Sequence, residues 1–129
     1  MPDSGRPLSP HLGVYKWEVS NTMSILHRVT GVFLSIGAVI FVGWLITTAT
    51  NQATYDSMMR LIGSPFGLVL TLGWTFCFFY HFCNGIRHLI WDVGYGFDPR
   101  VARFSGWFVL ILALLLAIGF WLVVVGVAS

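Results

Sequence analysis

The chain reads as an all-α integral membrane protein built on three transmembrane helices. Composition is the first reason: 57% of its 129 residues are hydrophobic and only 9% are charged, where a soluble domain carries about 25% charged residues. The second is a set of three apolar runs, Val29–Ala49, Pro65–Ile86 and Phe104–Val127. Each reaches the roughly 20 residues needed to cross a ~30 Å hydrocarbon core. A mean hydropathy of +0.81 agrees. The formal charge of +2 is small and scattered, which argues against nucleic-acid binding.

Taken in order, residues 1–23 are polar and hold no apolar core of signal-peptide type. They also lack the Arg-rich, acid-poor character of an organelle transit peptide. The expected setting is a bacterial inner membrane, with a mature or organelle-encoded protein of the mitochondrial inner membrane as the second choice. The first predicted helix covers about 26–49. The segment from about Thr50 to Ser64 reads as a connection too short to fold alone. Ser64-Pro65 then gives an N-cap followed by proline at the first helical position, opening a second helix over about 65–92. Gly94 and Gly96 break that helix after Asp92, and Asp98-Pro99 closes the turn before a third helix over about 104–127. Three spans leave no room for a soluble domain, so residues 1–129 form a single membrane-anchor domain.

With three spans, the N-terminal segment and the 93–103 connection share one side. Arg6, Lys16, Arg100 and Arg103 lie there, with Arg28 and Arg87 at the adjoining helix ends, against Arg60 alone on the other side. The positive-inside rule places the N-terminus in the cytoplasm or matrix. His27, Arg28, Arg87 and His88 then sit near the inner surface. His81 lies deeper, about 16 Å below Asp92 at 1.5 Å per residue.

The second helix carries Tyr80-His81-Phe82-Cys83-Asn84-Gly85-Ile86-Arg87-His88. Ionisable groups at membrane depth are costly and usually face a cofactor, a cavity or another chain. His81, Asn84, Gly85 and His88 recur at i, i+3, i+4 and i+7, which predicts one shared face. Gly85 leaves a gap there for a flat cofactor or another helix. His81 reads either as a neutral imidazole bonded to a neighbouring helix or as an axial iron ligand. His81 and His88 are about 10.5 Å apart along the helix, too far to bracket one iron. His27 is expected nearer the level of His88 than of His81, which makes it a doubtful second ligand, so a second axial histidine is expected from another chain. Arg87 and His88 could contact a carboxylate or line a cavity, with Asp92 as a pairing partner for either, and a purely structural role for the cluster stands equally beside these.

The first helix opens with Ser24-Ile25-Leu26-His27-Arg28-Val29-Thr30-Gly31, in which Ser24, His27, Arg28 and Gly31 share a face. The Arg28 guanidinium suits a carboxylate such as a haem propionate. With the Ser24 hydroxyl it could equally hold a quinone carbonyl. The alternative is simple snorkelling of Arg28 to the interface. Trp17 and Trp91 read as interfacial aromatics. Cys77 and Cys83 match no metal or redox spacing and read as packing residues. The third helix has no ionisable residue after Arg103. Its Gly106, Ala113, Ala117 and Gly119 would allow close contact, and its expected role is anchoring.

Three stretches together carry a resemblance that spans the whole chain. They are Arg6-Pro7-Leu8-Ser9-Pro10-His11-Leu12, Ser24-Ile25-Leu26-His27-Arg28-Val29-Thr30-Gly31, and His81 through Asp92 with its H-x-x-x-G-I-R-H-x-x-x-D pattern. In these the sequence resembles the cytochrome b subunit of succinate dehydrogenase, the larger membrane anchor of respiratory complex II. The resemblance implies a helical bundle with a second small anchor subunit and haem b held between them by one histidine from each. It implies His81 as the axial iron ligand and His27, Arg28 and His88 beside the haem propionates. It implies Ser24, Ile25 and Arg28 in a ubiquinone pocket, with Trp17 beside it. An iron–sulfur subunit would dock on the inner side, and a flavoprotein subunit beyond it would oxidise succinate. No flavin or iron–sulfur motif is present here, so the subunit is non-autonomous. The competing readings are the anchor of a related quinol:fumarate reductase, a haem-free structural anchor, and a small transporter subunit with a proton-relay histidine. The lack of acidic residues deep in the spans argues against the last.

Overall fold

The computed structural model describes residues 18–129, which form four helices: α1 (Val19–Thr50), α2 (Gln52–Ile62), α3 (Pro65–Asp92) and α4 (Pro99–Ala128). Three of them, α1, α3 and α4, are long and apolar enough to cross a membrane. They run up, down and up, so the start of α1, the end of α3 and the start of α4 lie at one end of the bundle. α3 is central, packed along α1 on one side and α4 on the other.

Both ends of α3 follow from the local sequence. The Ser64 hydroxyl accepts the Gly67 amide at 3.1 Å with Pro65 as the first helical residue. At the other end Gly94 has φ +94°, its amide donates to the Trp91 carbonyl, and the Tyr95 amide donates to the Ile90 carbonyl. That pair of bonds is a Schellman termination, which needs a left-handed residue and therefore favours glycine.

Two helices start earlier than the sequence suggests. α1 begins at Val19 rather than near 26, because Ser20, Asn21 and Thr22 are polar but contain no helix breaker, and the helix simply continues out of the apolar zone. α4 begins at Pro99 rather than 104. Asp98 is its N-cap, accepting the Arg100 amide at 2.8 Å and the Val101 amide at 3.4 Å, so the Asp-Pro pair starts the helix instead of only closing a turn.

The connection expected over Thr50–Ser64 is mostly helical. Asn51 caps α2 by accepting the Thr54 amide at 3.0 Å. Tyr55, Met58 and Ile62 are half-buried, while Gln52, Asp56, Ser57 and Arg60 stay exposed and bond to one another. An amphipathic helix of this kind suits the membrane–water boundary.

The interior is small and the exterior apolar. Met23, Tyr80, Cys83, Val109 and Ala113 form a core joining α1, α3 and α4. The Tyr80 hydroxyl donates to the Met23 carbonyl at 2.9 Å, tying α3 to the start of α1. Gly106, Ala113 and Ala117 are buried and bring α4 close, whereas Gly119 faces open space. Cys83 packs in the core and Cys77 is half-buried; both are free thiols. Side chains such as Val39 and Phe104, each 74% exposed, have water-free lipid or another chain as their natural cover.

Candidate functional site

The site lies at the end of the bundle shared by the start of α1 and the end of α3. His27 on α1 reaches α3 between His81 and His88. Its ring stacks on that of His81 with centroids 3.8 Å apart and planes 9° apart. The His88 ring is 5.1 Å away and tilted by 52°. All three imidazoles are half-buried.

The bare backbone of Gly31 eases this approach, whereas a side chain at Gly85 would make only ordinary contact. A Cβ added at Gly31 would lie 3.0 Å from His81 Cε1, and one at Gly85 would lie 3.8 Å from His27 Cε1. The gap predicted at Gly85 is therefore occupied by the His27 ring. His27 was expected nearer the level of His88 than of His81, and this is corrected: it stacks on His81. The reason is the early start of α1. Val19 to His27 is about 12 Å along the helix, against about 16 Å from Asp92 to His81 and about 6 Å from Asp92 to His88. The two rings are stacked face to face at 3.8 Å, which leaves no room for a metal ion between them.

The Nδ1 atom of His81 is 3.1 Å from the His27 carbonyl oxygen. A carbonyl can only accept, so Nδ1 carries the proton and donates, leaving the lone pair on Nε2. Nε2 has no hydrogen-bond partner among the described residues and is not enclosed. His27 Nδ1 is buried and also without a partner among them.

Arg87, for which a purely structural role stood beside a carboxylate contact or a cavity lining, fastens α3 to α4. It is only 4% exposed. Its Nε donates to Ser105 Oγ at 2.9 Å, Nη2 to the Ala102 carbonyl at 2.8 Å and Nη1 to Asn84 Oδ1 at 3.4 Å. Its guanidinium lies 4.0 Å over the Trp91 ring, a cation–π contact. Trp91 in turn donates its indole N–H to the Gly96 carbonyl at 3.2 Å, so it clasps the α3–α4 turn. Asp92 is exposed.

Asn84 leaves the predicted shared face. It is fully buried beside Arg87, while His81, Gly85 and His88 turn towards α1. At 100° per residue an i+3 position sits about 60° from i, enough to put it on the α4 side. Of the other predicted residues, Ser24 is half-buried and Ile25 and Arg28 are exposed on α1. Trp17 lies outside the described residues. Among the described residues no group of three or more His, Cys, Asp or Glu side chains is arranged so that it could hold a metal ion by itself. An apolar groove of about 560 Å³ opens at the opposite end, lined by Phe33, Trp44, Phe66 and Trp74 among others.

Comparison with known proteins decides the family. A family model described as the succinate dehydrogenase/fumarate reductase transmembrane subunit matches residues 2–120. The chain belongs to that family. Curated relatives include the succinate dehydrogenase cytochrome b556 subunit of Rickettsia felis, 40% identical over 116 residues that cover 90% of each chain. That of Rickettsia typhi is 42% identical over 116 residues with the same coverage. The mitochondrial succinate dehydrogenase cytochrome b560 subunit of Sus scrofa is 40% identical over 119 residues, covering 90% of this chain and 70% of that one. As a succinate dehydrogenase/fumarate reductase transmembrane subunit, the chain is a multi-pass membrane protein of an oxidoreductase complex, in agreement with the three apolar helices and with the resemblance seen in the motifs.

Sequence reasoning passed over two residues of this transmembrane subunit that the fold makes prominent. Thr30 is buried with its hydroxyl 3.3 Å from His81 Nδ1, and Tyr80 holds α1 against α3 one residue before His81. Thr30 was legible only as part of the Ser24–Gly31 motif. Its position three residues after His27 was the available signal.

Proposed function

We propose that this chain is the cytochrome b membrane anchor of a bacterial succinate:ubiquinone oxidoreductase. In this reading it holds haem b jointly with a second small anchor subunit and contributes to the site where ubiquinone is reduced. The observation that carries the proposal is the state of His81: a histidine at membrane depth, its Nδ1–H held by the His27 carbonyl and the lone pair of its Nε2 left for a metal. Metal-ligating histidines commonly have their other ring nitrogen bonded to a carbonyl in this way. The family and the names of the relatives, cytochrome b556 and b560 subunits, support a haem.

The residues present fit such a group. His81 Nε2 would bind the iron, and because the His27 ring is stacked on His81 with no space between them, the other histidine would come from the partner anchor. Bound there, haem would supply a one-electron carrier. Arg28 is exposed beside His27, and with His27 and His88 it offers cationic and N–H donors to the propionates. Ser24, Ile25 and Arg28, with Trp17, would border the quinone, the hydroxyl and guanidinium donating to a carbonyl oxygen. Electrons would arrive from an iron–sulfur subunit on the inner side, fed by a flavoprotein subunit that oxidises succinate. The charge bias supports an N-terminus facing the cytoplasm of a bacterial inner membrane. The family description also covers fumarate reductase, but the relatives named above are succinate dehydrogenase subunits.

The test is a dithionite-reduced minus oxidised spectrum of the purified complex. A b-type signal that disappears in an assembled His81→Ala complex is the expected result. An assembled complex with no haem signal at all would turn the reading towards a haem-free structural anchor.

A further inference from the structure

We propose that Thr30 is a positioning residue for His81, whose hydroxyl fixes the rotation and tautomer of the imidazole so that Nε2 alone faces the metal. The proposal rests on the reading of His81 as the iron's donor.

The hydrogen bonds fix the direction of each proton. Thr30 Oγ1 lies 2.8 Å from the Leu26 carbonyl and 3.0 Å from the His27 carbonyl. Both can only accept, so the hydroxyl proton goes to them. The lone pairs of Oγ1 then meet His81 Nδ1 at 3.3 Å. The same Nδ1 lies 3.1 Å from the His27 carbonyl. Its N–H is shared between two acceptors that stand three residues apart on α1, a three-centre bond.

Two acceptors do what one cannot. A single carbonyl leaves the ring free to swing about its Cβ–Cγ bond while keeping a bent hydrogen bond. The hydroxyl, on the next turn of α1, resists that swing. Gly31 completes the arrangement, since an added Cβ there would be 3.0 Å from His81 Cε1. The ring edge is therefore cradled by the His27 carbonyl, the Thr30 hydroxyl and the bare Gly31 backbone. A ring flipped by half a turn would put a carbon where Nδ1 now donates, and both bonds would be lost. Thr30 is 7% exposed, so water does not replace its hydroxyl. An Nδ1–H with good acceptors also makes the imidazole a stronger donor through Nε2.

Thr30→Val keeps the side-chain shape and removes the hydroxyl; Thr30→Ser keeps the hydroxyl and removes the methyl. Both are made in the whole purified complex. Two readouts need no turnover: the largest g value of the oxidised low-spin haem, which reports ring orientation, and the haem midpoint potential by redox titration. In Thr30→Val the g value shifts and the potential rises, because the donor is weaker towards ferric iron. Thr30→Ser behaves as the unaltered protein. Loss of haem in Thr30→Val with an unaltered spectrum in Thr30→Ser supports the same conclusion. Unchanged signals in Thr30→Val at full haem content would overturn the proposal, as would equal disturbance or loss in both variants. Gly31→Ala is the second variant. It presses on the Cε1 edge with the hydroxyl intact, and an unmoved g value there would show that the ring is not held in this cradle. A haem signal that persists in an assembled His81→Ala complex would instead sink the assignment of His81 itself.

Discussion

The rings of His27 and His81 lie face to face, 3.8 Å between centroids and 9° between planes, although they belong to different helices. His27 thus supports His81 twice, through its carbonyl and through its ring. Only the ring is removed in His27→Ala. A stacked pair contributes about 0.5–1.5 kcal/mol, so His27→Ala is expected to weaken haem retention by about 2- to 10-fold. His81→Ala is expected to abolish it. Titrating haem release from the assembled complex with detergent or an apo-acceptor measures the difference. Equal loss in both variants would make the His27 ring, and not only its carbonyl, indispensable.

Arg87 should behave as a structural clamp and not as a cofactor contact. Three of its donors are bonded to Ser105, Ala102 and Asn84, and its face covers Trp91. Arg87→Met leaves Asn84 Oδ1 buried without this partner, a loss of about 2 kcal/mol or more. Arg87→Lys cannot reproduce the fork and is expected to fall well short of rescue. The expected outcome is a lower melting temperature in detergent and faster proteolysis at the α3–α4 turn. A Lys variant that melts with the unaltered protein would show that charge alone suffices.

The hydroxyl of Tyr80 gives a smaller and cleaner effect. It donates to the Met23 carbonyl at 2.9 Å from a side chain only 1% exposed. Tyr80→Phe keeps the packing and removes the bond, so the expected loss is about 0.5–1.5 kcal/mol. Thermal melting of the complex reads it directly. A larger collapse would mean that the hydroxyl also restrains the start of α1 through its neighbours.

These outcomes separate what the sequence carries from what only packing reveals. The spans were legible because lipid demands long apolar helices, and the α3 N-cap was legible because Ser64-Pro65 is a local signal. The histidines stood out because ionisable groups are costly in an apolar run. The meeting of His27 with His81 was not legible, since it depends on where α1 starts, and the polar residues 20–22 hid that start. Nor was the turning of Asn84 and Arg87 towards α4, because periodicity identifies a face without saying which neighbour will cover it. The helix α2 was missed because it crosses no membrane and its signal is a single short amphipathic stretch.

Two glycines on α1 should respond in opposite ways, and the contrast tests the α1–α3 contact itself. A Cβ at Gly37 would collide with the indole of Trp74, whereas one at Gly43 meets nothing within 4 Å. Alanine is the better helix former by about 1 kcal/mol, so Gly43→Ala is expected to be neutral or mildly stabilising. Gly37→Ala gains the same propensity but must displace a large, half-buried ring, and overpacking of this kind typically costs about 1–3 kcal/mol. The displaced ring would push α1 away from α3 along its length. That shift would also lengthen the bonds from His81 to α1, so Gly37→Ala is expected to lower both the melting temperature and the retention of haem. If Gly37→Ala melts at or above the unaltered protein, Trp74 has room to move and the close approach at Gly37 is not what holds α1 in register.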